Sequence, residues 1–180
     1  MKLKRSIFFP TCRAHHISSV TADFLQENDI KAVILDLDGN LTGYQKDIID
    51  EEVMNWVKNV GSAGIKLCIV TNPGPRTTVK EIAQMLKLQA FSGFFPKPLP
   101  RAFMAAQAYL DMDFKNIAVI GDQLFTDILG GNIVGCLTIW TDTLAGEPEG
   151  WLTRQVNRRL ERLYLHTILP HFSSRAPYLP

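Results

Sequence analysis

The chain has 180 residues, with 19 Lys and Arg against 18 Asp and Glu and a formal net charge of +1. That length suits a single domain able to bury roughly 70% of its unfolded surface without disulfides or a structural metal. Near-neutrality excludes a global field for nucleic acid, so any basic patch must be local. The three cysteines, Cys12, Cys68 and Cys136, are far apart and odd in number, which argues for a reducing compartment and against a metal cluster.

Residues 1–20 read as an N-terminal extension, residues 21–169 as one domain that includes a C-terminal helix, and residues 170–180 as a loosely held tail. The start of the chain is basic and then briefly apolar, too short a run for a signal-peptide core. No stretch reaches the roughly 18 apolar residues of a membrane span. The expected location is the cytoplasm, with peripheral membrane contact left open.

The first strong element is the apolar run from Ala32 to Leu35, which reads as a strand covered on both faces. It ends on Asp36-Leu37-Asp38-Gly39-Asn40. Ile48, Val53, Trp56, Val57 and Val60 then keep helical spacing, and a second strand spans 65–70. Another helical set follows at Val79, Ile82, Ala83 and Leu86, then a weaker strand at 91–95. Ala102, Phe103, Ala106, Ala108 and Tyr109 form the next helix. Strands at 117–120 and 136–140 complete an alternation that predicts a doubly wound, Rossmann-like α/β fold with a parallel sheet of about five strands. A last helix is expected over 151–169, ending before Pro170. Trp56 and Trp140 fall on core positions, and His15, His16, His166 and His171 lie outside the motif loops as surface or packing residues.

In such a sheet, ligands bind beyond the carboxyl ends of the strands, where strand order reverses. Polar residues stand at those ends: Asp36 and Asp38, then Thr71-Asn72, then Lys97, then Gly121-Asp122 followed by Thr126-Asp127. Asp36 and Asp38 are two residues apart, and two like charges held close raise each other's pKa unless a cation or a shared proton relieves them. Oxygen ligands of this kind favour Mg²⁺. The set suits phosphoryl transfer: a carboxylate attacks phosphorus, a metal and a lysine neutralise the phosphoryl oxygens, and a second carboxyl group moves the proton. Singly, each has a plainer reading. Asp-Leu-Asp-Gly-Asn and Thr-Asn-Pro-Gly are turn sequences, Lys97 between prolines is a loop lysine, and Asp127 is a helix cap.

Taken in order, these motifs resemble those of haloacid dehalogenase superfamily phosphatases of the YqeG type, over residues 20–165. Asp36-Leu37-Asp38 matches the first motif, Thr71-Asn72 the second, Lys97 the third and the run 121–127 the fourth. Residues 121–132 and 157–162 resemble the YqeG subfamily in particular. The resemblance implies Asp36 as nucleophile and Mg²⁺ ligand, forming an aspartyl-phosphate, and Asp38 as general acid and base with its backbone carbonyl on the metal. It implies that Thr71 and the Asn72 backbone hold the phosphoryl group, that Lys97 neutralises it, that Asp122 completes the metal site, and that Asp127 orients Lys97 or a metal-bound water. The superfamily usually has Thr where this chain has Asn40, a supporting residue whose amide is not equivalent to a compact hydroxyl.

Members of this superfamily often carry a cap domain after the first motif or between the second and third. Here about 35 residues separate Asp36 from Thr71 and about 26 separate Thr71 from Lys97, enough for one helix, one strand and short connections. The expectation is a capless, open site and a substrate whose bulk stays outside. Eukaryotic members of the family that this chain resembles dephosphorylate phosphatidylglycerophosphate, and a lipid headgroup at an anionic membrane surface is the leading substrate. The basic excess of Arg154, Arg158, Arg159 and Arg162 in the last helix suits such a surface or is an ordinary solvated face. A soluble phosphometabolite or phosphoprotein is the alternative substrate, and a weakly active binding or regulatory module the alternative class. A second copy of the chain is a further candidate partner; nucleic acid is not expected.

Overall fold

The computed structural model describes residues 7–42, 49–72, 79–92, 95–142, 144 and 176–179. Six parallel strands form one sheet: β1 (Cys12–Ala14), β2 (Ala32–Leu35), β3 (Lys66–Thr71), β4 (Gln89–Ser92), β5 (Ile117–Gly121) and β6 (Leu137–Thr141). Their spatial order is β1-β6-β5-β2-β3-β4, so the chain winds one way from β2 through β3 to β4 and the other way from β5 through β6. The reversal lies between β2 and β5, and the end of β2 therefore opens into the crevice that this architecture creates.

Helices α1 (Ala22–Glu27), α2 (Glu51–Ser62), α3 (Val79–Leu86), α4 (Pro100–Leu110) and α5 (Leu129–Val134) connect the strands. Alternation along each strand divides the core. Val33, Leu35, Leu67, Ile69, Ala118 and Ile120 join one apolar layer with Val53, Trp56, Val57 and Val60 of α2 and Ile82 of α3. Ala32, Ile34, Cys68, Val70, Ile117 and Val119 face Phe103, Ala106 and Leu110 of α4 in the other. The spacing of these helical residues keeps one stripe toward the sheet, and burying a side chain such as Phe103 contributes on the order of 2–3 kcal/mol. In α4, Pro100 occupies the first turn, where its missing N–H is no loss.

Three features differ from the sequence reading. The sheet has six strands because residues 12–14, assigned to the extension, pair with β6; three residues are too few to show a hydrophobic period. The weak strand lies at Gln89–Ser92 instead of 91–95, because pairing with Cys68–Thr71 of β3 fixes its register and Phe95 falls beyond its end. Residues of the tail are also held: the Arg13 amide donates to the Pro177 carbonyl at 2.8 Å, and the Leu179 amide donates to the Arg13 carbonyl at 2.7 Å. Strand-like pairing along the outer side of β1 accounts for this. The expected helix at 151–169, with its four arginines, lies outside the described residues.

Candidate active site

Asp36 follows the last residue of β2, and its amide still donates to the Ile120 carbonyl of β5 at 3.0 Å. The strand alternation therefore carries one step further and turns the Asp36 side chain to the α4 face of the sheet. Beyond it the chain bends: Gly39 takes a φ of +84°, a conformation that suits glycine, and its amide donates to the Thr42 carbonyl.

Lys97 reaches the same place from the loop before α4. Its ammonium lies 2.6 Å from Asp36 Oδ1 and 2.6 Å from Asp127 Oδ1, and all three residues are buried. The loop-lysine reading is thus excluded. Asn72 holds that loop: its Oδ1 accepts from the Lys97 amide at 2.6 Å, and its Nδ2 donates to the Lys97 carbonyl at 3.5 Å. Thr71 ends β3 and is buried beside it.

The fourth motif leaves β5 through a π turn, Leu124–Ile128, in which the Ile128 amide reaches back to the Gln123 carbonyl. Such turns recur at functional sites because the extra residue redirects a side chain. Here Asp127 comes back over β5, takes a hydrogen bond from the Gln123 amide at 3.2 Å, and lies against Gly121. A Cβ on Gly121 would collide with the Asp127 carboxyl group, so this position must lack a side chain. Asp127 is therefore a member of the charged cluster and not a helix cap.

Asp36, Asp122 and Asp127 offer carboxylate oxygens all within 4.8 Å of one another, and all three are buried. Asp38 stands half-buried outside this trio; the contribution that the resemblance implies for it on a metal is a backbone carbonyl. Three buried carboxylates face one buried ammonium. Burial would lower the Lys97 pKa, but the charges of Asp127 and Asp36 and their hydrogen bonds outweigh it and hold the ammonium above the ordinary lysine range. The Asp127 carboxyl is pushed up to about 7, first by burial and then by the Asp36 charge, with Lys97 only partly offsetting both. The surplus negative charge and all-oxygen donor set fit a hard divalent cation.

Asn40 is buried, and its Oδ1 accepts from Thr141 Oγ1 at the end of β6 at 2.7 Å. Its Nδ2 has no partner among the described residues. Three supporting residues escaped the sequence reading. Trp140, assigned to the core, donates from Nε1 to the Asp122 carbonyl at 2.9 Å and so holds the loop that carries Asp122. Phe9 packs with Leu124, Ile128 and Ala176 behind the π turn, and Phe8 meets Phe125 edge-on. The paired phenylalanines were the available signal, but nothing in their spacing names the partner.

A parallel α/β sheet carrying this cluster at its switch point, with no cap domain among the described residues, is that of a phosphoric monoester hydrolase of the haloacid dehalogenase superfamily. Residues 1–144 match the model of the family described as "Mitochondrial PGP phosphatase". The chain is also 32% identical over 164 residues to the probable phosphatase YqeG of Bacillus subtilis (strain 168), covering 91% of this chain and 93% of that one. It belongs to this PGP phosphatase family. Among solved structures, the fold is shared with an uncharacterized protein from Listeria monocytogenes serotype 4b, at a TM-score of 0.56 and 17% identity, covering 75% of this chain and 99% of that one. It is also shared with the cobalt-bound deoxy-D-mannose-octulosonate 8-phosphate phosphatase of Haemophilus influenzae, at a TM-score of 0.51 and 18% identity, covering 77% of this chain and 89% of that one.

Proposed function

We propose that this phosphatase is Mg²⁺-dependent, acts through an aspartyl-phosphate on Asp36, and removes the terminal phosphate of phosphatidylglycerophosphate to leave phosphatidylglycerol. The observation that carries the chemistry is the buried Asp36 carboxylate, fixed at 2.6 Å by Lys97 at the mouth of the sheet. The family description, together with the lack of a cap domain among the described residues, supports a substrate whose bulk stays outside the site. Among the described residues no helix is long and apolar enough to cross a membrane. The proposed location is the cytoplasm, with peripheral contact to the lipid surface.

One oxygen of Asp36 attacks phosphorus, forming an O–P bond as the ester P–O bond breaks. Asp38, entering as the acid, gives its proton to the departing glycerol oxygen. Thr71 and the Asn72 amide hold the phosphoryl oxygens while Lys97 balances their charge. Asp38, now a carboxylate, takes a proton from water, whose oxygen attacks the phosphoryl group and restores Asp36. Asp36, Asp122 and the Asp38 carbonyl, with Asp127 beside them, would hold a Mg²⁺ ion, which would supply positive charge to the phosphoryl oxygens.

The test is phosphate release with Mg²⁺ from vesicles containing phosphatidylglycerophosphate and from soluble esters, with hydroxylamine trapping of the acyl phosphate. Asp36→Asn is expected to lose activity by about a thousandfold or more, because an amide is a far poorer nucleophile. Equal rates for the two proteins would refute the mechanism. Turnover of soluble esters alone would refute the lipid assignment.

A further inference from the structure

A cavity of about 230 Å³ opens between the ends of β3 and β4 and the first turns of α4. Thr71, assigned above to the phosphoryl group, is among the residues that line it, so the cavity and the phosphoryl position share a residue. Phe91, Ala102 and Ala105 make its apolar body, and Arg101 and Phe95 stand at its mouth. Because β4 is the outermost strand on this side, the cavity opens at the margin of the sheet.

Arg101 is the second residue of α4, an 11-residue helix, so its charge adds to the positive dipole end of that helix. Its guanidinium lies 4.9 Å from the centre of the Phe95 ring, which is 45% exposed. Among the described residues it has no carboxylate partner. An exposed ring bracing a guanidinium without a carboxylate partner among the described residues, in a cavity that Thr71 also lines, is complementary to a second anion on the same substrate. The volume is below the roughly 300–1,000 Å³ of sites that engulf a whole small ligand, so it accepts a fragment and leaves the rest outside.

We infer that this cavity is the leaving-group subsite and that Arg101 binds the phosphodiester of the departing headgroup, with the intervening glycerol against Phe91, Ala102 and Ala105. This rests on the lipid-phosphate reading above and adds to it a residue that selects for a substrate bearing two phosphates. The planar fork of Arg101 can pair with both free oxygens of the diester.

The experiment compares kcat/KM for two soluble probes, glycerol 3-phosphate and the deacylated headgroup glycerophosphoglycerol phosphate, and then for vesicles containing the intact lipid. Wild type is expected to favour the headgroup over glycerol 3-phosphate by tenfold or more. Arg101→Ala is expected to collapse that ratio toward one, with Arg101→Lys between the two. Lys58→Ala, an exposed charge on α2 remote from the cavity, is expected to keep the wild-type ratio. A wild type without the preference, or an Arg101→Ala variant that retains it, overturns the subsite. A preference that depends on Arg101, together with no turnover of vesicle lipid, supports the subsite and overturns the lipid assignment instead.

Discussion

The two halves of the site are built by different means. On the β2–β3 side, Asp36 follows the last residue of β2 and Thr71 is the last residue of β3, so the ladders of two paired strands carry both to the edge of the sheet. On the β5–β6 side, Asp122 and Asp127 leave β5 through a π turn whose shape depends on Gly121, Trp140 and the packing of Phe9. The first half is positioned by hydrogen-bond ladders shared with the whole sheet and the second by a few local contacts. Function is therefore more sensitive, residue for residue, on the second side.

The largest test of that asymmetry is Gly121→Ala. The added methyl group displaces the Asp127 carboxyl, and a misplacement of about 1 Å costs on the order of a hundredfold in turnover, with overpacking adding about 1–3 kcal/mol of destabilisation. Steady-state kinetics and thermal unfolding read both, and near-wild-type activity would mean that Asp127 has room to move.

Metal and pH come next. Without metal, the raised Asp127 pKa means that the folded chain holds a proton that the unfolded chain releases. This contribution to stability is complete below 3.8 and is lost as pH rises through about 7. The raised Lys97 pKa acts only above the ordinary lysine range. Unfolding in chelator should therefore show a lower Tm at pH 8 than at pH 5, a gap that Asp127→Asn narrows. Mg²⁺ at a hundred times its Kd should restore about 2.7 kcal/mol at pH 8. A flat metal-free profile would contradict the charge count of the site.

Asn72→Ala probes the better-anchored side. It leaves the Lys97 amide unpaired, at about 1–3 kcal/mol, and frees the loop that carries the ammonium; kcat is expected to fall about tenfold. The smallest effect is that of Trp140→Phe, which removes one hydrogen bond to the Asp122 carbonyl, worth about 1 kcal/mol. Its signature is weakened Mg²⁺ affinity, by about tenfold, with turnover recovered when metal is added. Loss that metal does not rescue would place Trp140 in packing alone.

The same asymmetry governs how much was legible beforehand. Apolar runs ending on Asp36, Thr71 and Asp122 are visible because a strand buried on both faces leaves an unmistakable pattern, and the fold follows from their alternation with helices. Lys97 and Asp127 were legible as motif members, and the resemblance implied that Asp127 orients Lys97 or a metal-bound water; that one ammonium pairs with both Asp36 and Asp127 was not legible, since 30 residues of chain must fold before Lys97 and Asp127 meet. Trp140 and Gly121 carried no signal of their own: an indole in a strand reads as core, and a glycine after a strand reads as a turn. Residues 12–14 stayed hidden because pairing with β6, not any internal period, makes them a strand.

The turn over Leu124–Ile128 is, in effect, a helix carrying one residue too many. Removing that surplus would let the segment settle into ordinary α geometry and swing the residue at position 127 by about 100° around its axis. Straightening it would take Asp127 away from Lys97, so the irregularity is itself what assembles the charged cluster.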